Sequence, residues 1–184
     1  NIMLYCSEVK VVGILWDMLR VLNCCASIVV AGMALNDGGS IIGAVALPPS
    51  TITREEADAY VEGTLPKERM KELEESEVDI LTVTRNGFGK RMSSHSMFPQ
   101  NRGGQGVLIG NKTTEVILCR VVHSEDSLSI TTDQGAVIRI PASGIVKYRN
   151  RTARGVKLLR RQDGTKVVDC TVIKPEPEED EVSK

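Results

Sequence analysis

The chain has 184 residues, 23 basic and 24 acidic side chains, a formal net charge of −1, and 41% hydrophobic but only 3% aromatic content. That length carries one or two domains with a real core. Five cysteines, an odd number without a C-x-x-C pair, do not look like a zinc knuckle or disulfide framework and point to a reducing cytoplasm, and so few aromatics weaken a reading as a stacking platform for single strands or an aromatic cage.

Residues 1–48 open on a strand, Ile2-Met3-Leu4-Tyr5, and read as a partial blade. Within them, 12–31 form a divergent insert, an apolar run broken by Asp17, Arg20 and Asn23. A buried local helix is the first reading and locally altered sequence the second. A membrane span, which needs about 20 mostly apolar residues, comes last. No basic n-region or cleavage site marks a secretory signal, and the absence of an initiator Met suggests a fragment of something longer. Residues 49–77 follow Pro48-Pro49 as an acidic linker. Thr53-Arg-Glu-Glu56 is a capping-box pattern, and Pro66 precedes Lys67 to Glu75, so one or two short charged helices are expected. Their apolar stripe is thin (Met70, Leu73), which suits a solvated linker.

A repeat of about 50 residues follows. Ile80-Leu-Thr-Val-Thr-Arg-Asn-Gly87 aligns with Leu128-Ser-Ile-Thr-Thr-Asp-Gln-Gly135, both alternating strands running into a turn. Lys90-Arg91-Met92 then faces Ile138-Arg139-Ile140, Asn101 to Val107 faces Asn150 to Val156, and Val116 to Val122 faces Val167 to Ile173. The opening strand, Ile2 to Val9, aligns with Ile138 to Ile145. The expected fold is all-β, with propeller-like four-stranded blades, about two and a half of them: the partial blade, 78–123 and 124–174. Cys119 and Cys170 read as small buried apolar residues on these strands. Residues 175–184 are an acidic disordered tail.

Charge follows the same boundaries. Residues 51–79 hold 4 basic and 10 acidic side chains, 80–161 hold 14 and 4, and 175–184 hold 1 and 5. The basic block concentrates in two turns. In Gln100-Asn-Arg-Gly-Gly-Gln-Gly106, glycines let consecutive N–H groups converge on a phosphate oxygen beside Arg102. The counterpart, Arg149-Asn-Arg-Thr-Ala-Arg-Gly155, exchanges glycines for arginines. The candidate DNA-binding residues are therefore Lys90, Arg91, Arg102, Gly103, Gly104, Gln105, Gly106, Arg139, Arg149, Arg151, Arg154, Lys157, Arg160 and Arg161. Corresponding positions in successive blades predict one basic rim, suited to a rigid polyanion and to steep salt dependence with little sequence preference. Catalysis is not indicated. His95 and His123 fall at different repeat positions and read as turn or surface residues. The glycine turn lacks the Lys-Ser/Thr of a nucleotide P-loop, and no acidic cluster has metal-ligand spacing.

These residues resemble a known family. Asp79-Ile-Leu-Thr-Val-Thr-Arg-Asn-Gly-Phe-Gly-Lys-Arg91 and Gln100 to Val107 look like the C-terminal domain of the bacterial DNA gyrase A protein. Ile138-Arg-Ile, Asn150-Arg-Thr-Ala-Arg-Gly-Val156 and Asp163-Gly-Thr-Lys-Val-Val168 match its next repeat. The resemblance implies a β-pinwheel whose basic rim wraps duplex DNA, in a type IIA topoisomerase that uses ATP and Mg2+ elsewhere for negative supercoiling. This chain would need no cofactor of its own. The implied partners are the gyrase A cleavage domain and the gyrase B subunit, with no membrane, in a bacterial cytoplasmic, nucleoid-associated location. Residues 100–106 match the family's Gln-Arg-Arg-Gly-Gly-Lys-Gly box with Asn101 for Arg and Gln105 for Lys, as in a degenerate copy. The acidic tail is similar to family tails that compete with DNA for the rim. Alternatives are the A-type subunit of topoisomerase IV and a propeller-type interaction module with an acidic partner.

Overall fold

The computed structural model describes residues 2–6, 10–14, 31–47, 52–110, 115–159 and 164–175. Most of the 12–31 insert, the tail from 176 onward, and Arg160 and Arg161 lie outside the described residues. Among the described residues, three sheets follow one another along the chain. The first joins β1 (Ile2–Cys6), β2 (Lys10–Ile14), β3 (Ile41–Ala46) and β6 (Val107–Leu108) in the order β3-β1-β2-β6. The second contains β4 (Asp79–Thr84), β5 (Phe88–Ser93) and β7 (Val116–Val122), ordered β7-β4-β5. The third contains β8 (Ser127–Thr132), β9 (Val137–Pro141) and β12 (Val167–Ile173), ordered β12-β8-β9.

The blades exchange strands. β6 belongs by sequence to the 78–123 blade but pairs with β2 of the sheet before it, Lys10 opposite Leu108 and Val11 opposite Val107. The next repeat does the same one blade later. β10 (Lys147–Tyr148) runs parallel to β5, and β11 (Val156–Lys157) pairs antiparallel with it, Val156 opposite Gly89. Each basic turn therefore lies on the predecessor sheet, between two segments that both pair with its edge strand: Pro99 and β6 on β2, and β10 and β11 on β5. One expectation needs correction. β1 aligns by sequence with β9, yet it sits between β3 and β2, the central place that β4 and β8 hold in their sheets. It becomes central because it pairs on both sides, with β2 and with β3.

Two cores separate the sheets. Met3, Tyr5, Val45, Ile80, Met92, Met97, Ile109, Val116 and Cys119 fill the first. Leu81, Val83, Leu118, Val122, Leu128, Ile130, Ala142, Ile145, Leu159, Val167 and Cys170 fill the second. The middle sheet is covered on both faces, so β4 is buried at Ile80, Leu81, Thr82 and Val83 in succession rather than alternating. Cys119 and Cys170 are buried as expected, and burial pushes both thiols up to about 12.

The acidic segment folds as two helices, α1 (Arg54–Glu62) and α2 (Lys67–Ser76). The capping box forms: the Glu56 N–H donates to Thr53 Oγ1 and the Thr53 N–H to Glu56 Oε2, both at 3.2 Å. Gly63 closes α1 in the left-handed conformation. The helices are not the solvated linker that their composition predicts. Ile52, Ala57, Tyr60 and Leu73 are buried together, with Val61, Leu65, Met70 and Phe98 packed around them. Tyr60 and Phe98 lie outside the Met70/Leu73 stripe, and they supply the area that seats the helices on the blade. Beneath them, His95 is buried rather than on the surface. Its Nε2 lies 3.2 Å from Ser76 Oγ, and its ring meets Tyr60 edge-on with centroids 6.0 Å apart. His123 is exposed.

Candidate nucleic-acid interface

The two basic turns are held in different ways. The 100–106 turn is pinned through its backbone. The Gln100 N–H donates to the Gly13 carbonyl at 2.6 Å and the Gly103 N–H to the Gly32 carbonyl at 2.9 Å, while the Gly104 carbonyl accepts from the Ala34 N–H at 2.9 Å. Gly103 takes a φ of 76°, which favours glycine, and a Cβ there would meet nothing closer than 3.9 Å. Arg102 and Gln105 are exposed, whereas Gly104 and Gly106 are half-buried. The expected cradle of converging N–H groups is thus partly used, since the Gly103 N–H is committed to the chain's own backbone.

The 149–155 turn is pinned by side chains of the blade beneath. Lys90 is 2% exposed. Its ammonium donates to the Arg151 carbonyl and, at 2.7 Å, to the Ala153 carbonyl. This corrects its assignment as a phosphate contact: Lys90 faces inward from β5 and braces the turn, and burial lowers its pKa to about 8. Arg91 is corrected in the same sense. Its side chain is 15% exposed, and it donates to Asp79 Oδ2 and the Ile145 carbonyl, both at 2.8 Å, and to the Ser143 carbonyl at 3.3 Å. Gly155, at φ 85°, lies so close to β5 that a Cβ would come within 2.6 Å of the Gly89 oxygen. Leu158 covers Gly89 on the far side of the turn.

The remaining cations divide. Arg151 is mostly covered and forks onto Asp58 Oδ1 through two nitrogens at 3.3 Å, with a further bond to the Ser96 carbonyl at 3.1 Å. Arg149 is half-exposed, 3.5 Å from Glu74 and 5.5 Å above the Tyr60 ring. Arg154 is exposed and stacks 4.3 Å over Phe88, and Lys157 and Arg139 are exposed on β11 and β9. Among the described residues, none of these last three has a carboxylate within ion-pair distance. Sequence reasoning passed over Lys147. It meets Glu77 and, at 2.8 Å, Asp79. Burial alone would lower it, but the bonds to Asp79 and Glu77 prevail and raise it. Glu77 is the mirror case: burial would raise it, and bonds from Lys147, Ser93 and Tyr60 hold it below the usual carboxylate range. No sequence motif marks it: only the pairing of β10 alongside β5 brings Lys147 to Glu77 and Asp79.

Successive sheets whose edge is completed by strands from the following blade define a β-pinwheel. The family described as the DNA gyrase C-terminal domain, a β-propeller, matches residues 79–115 and 126–174. The DNA gyrase A protein of Rickettsia bellii is 33% identical over 90% of this chain, and that of Staphylococcus epidermidis 35% identical over 58%. The solved DNA gyrase A C-terminal domain superposes with a TM-score of 0.65 at 18% identity, covering 93% of this chain and 50% of that one. The C-terminal domain of DNA topoisomerase IV gives 0.68 at 16%, covering 94% and 46%. Residues 79–115 and 126–174 of the chain belong to the family of DNA gyrase C-terminal domains. The chain spans about a fifth of the length of the Rickettsia relative.

Proposed function

We propose that the exposed sides of the two basic turns bind duplex DNA through its phosphate backbone, largely without sequence preference. The chain would act as a wrapping element of a gyrase A-type protein that supports ATP-dependent negative supercoiling. The observation that carries this reading is the strand exchange. It sets two cation-bearing turns at equivalent places on successive sheets, with Arg102 on one and Arg154 and Lys157 on the other reaching solvent. Repeated cations on a rigid frame match a rigid, evenly charged polymer. Within the parent complex the partners would be the gyrase A cleavage domain and the gyrase B subunit, with ATP and Mg2+ used there, in the bacterial cytoplasm on the nucleoid. Among the described residues no helix is long and apolar enough to cross a membrane. The curated relatives favour gyrase over topoisomerase IV, whose solved domain shares the fold alone.

Duplex affinity measured against salt tests the reading. A log–log slope of several units is expected, falling by about one for each of Arg102→Gln, Arg154→Gln and Lys157→Gln. A flat slope would overturn it.

A further inference from the structure

The acidic helices and the basic turn meet face to face, and the meeting is selective. Three cations on the incoming side of the 149–155 turn each face a carboxylate from the helical segment or the strand that follows it. Arg151 meets Asp58 of α1, Arg149 meets Glu74 of α2, and Lys147 meets Glu77 and Asp79. Arg154 and Lys157, on the outgoing side, meet none among the described residues. The carboxylates of Asp58 and Glu74 therefore stand where phosphate oxygens would have to stand to reach Arg151 and Arg149.

Position and strength both suit a displaceable cover. The helices are seated by apolar contact, with Tyr60 and Leu73 buried and Phe98 of the blade packed against them. The charges are not needed to hold them down. The carboxylates at the contact are half-exposed, at 45% for Asp58 and 47% for Glu74. Pairs of this kind are weak and are screened by salt. A polyanion presenting many phosphates at once can outcompete two such carboxylates.

We infer that the α1–α2 insert is an autoinhibitory cover: Asp58 and Glu74 occupy Arg151 and Arg149 as stand-ins for phosphate, and duplex DNA must displace them to engage the whole turn. The inference rests on the DNA-binding reading above. Arg154 and Lys157 give DNA its first hold, and the incoming side is recruited only when the cover yields.

The test uses the whole chain and a short duplex, with affinity measured across a salt series. Asp58→Asn with Glu74→Gln should tighten binding about three- to tenfold at low salt and steepen the log–log slope by about one to two. Glu62→Gln with Glu75→Gln makes the same change in net charge on the same helices, away from the pairs, and should do markedly less. In an Arg149→Gln/Arg151→Gln background the Asp58/Glu74 changes should add nothing. Circular dichroism of each variant checks that the helices stay folded. If Arg154→Gln weakens binding but the Asp58/Glu74 pair changes nothing, or acts no more than its control, the cover is overturned and the DNA reading stands. If no form binds even at low salt, both fall.

Discussion

The 100–106 and 149–155 turns have the same topology and opposite means of attachment. The first is glycine-rich and holds on by backbone hydrogen bonds to residues 13, 32 and 34. The second is arginine-rich and hangs its carbonyls on the buried Lys90 ammonium. A turn fixed through its own backbone leaves its side chains to chance. A turn fixed from below can spend its arginines outward, on solvent at Arg154 and on the acidic helices at Arg149 and Arg151. One turn thus presents Arg102 from a backbone-held loop, and the other is an arginine-rich surface with a built-in counter-charge.

The largest effect that would break this contrast is expected at Lys90. Lys90→Met removes both bonds and leaves two part-buried carbonyls without the ammonium, for a loss of about 3 kcal/mol in urea unfolding. A loss below about 1 kcal/mol would show that the turn is held by other means. The sign of its pH dependence is also fixed. With the folded value at about 8 against an ordinary 10.5, the unfolded chain binds more protons between those limits. The Lys90 contribution to stability therefore climbs as pH rises through that window, opposite in sign to that of the buried Cys119 and Cys170 thiols, so the stability of the parent chain minus that of Lys90→Met should grow from about pH 8 to 10.5. Next come the glycines. Gly155→Ala adds a backbone clash to left-handed strain and should cost about 3 kcal/mol, whereas Gly103→Ala has room for its Cβ and should cost about 1 kcal/mol. Equal costs would mean that the two turns are not held as differently as their contacts imply. The smallest effect concerns the helices' seat. Burial lowers His95 from an ordinary 6.5, so stability should decline as pH falls below that value. His95→Gln should remove the decline, readable in thermal melts at pH 5.5 and 7.5 as a shift of a few degrees.

Much of this was legible in the sequence, for identifiable reasons. The repeat showed through because paired strands must alternate or run apolar between turn residues, and because both copies keep their cations after the same strands. The capping box announced α1. What stayed hidden depends on the third dimension. Lys90 and Arg91 are adjacent cations in a strand and look like a surface pair. Only the neighbouring blade's turn, some 60 residues on, supplies the carbonyls that let Lys90 be buried. The seating of the helices escaped notice because its apolar area is drawn from Ile52, Tyr60 and Phe98 as well as from the helical stripe. The place of β1 was misjudged because alignment reports likeness to β9, while pairing is set by which edges are open.

The strand exchange also fixes an order of events during synthesis. The sheet containing β4, β5 and β7 has all its own strands once Val122 has left the ribosome, yet one edge of β5 waits for residues 147–157. The first two sheets are each finished by a piece of the blade that follows, so during their synthesis the nascent chain carries an open edge behind its growing end. That edge is the segment most exposed to mispairing with a neighbouring nascent chain. The basic turn that later faces DNA is, at that moment, the latch that closes it.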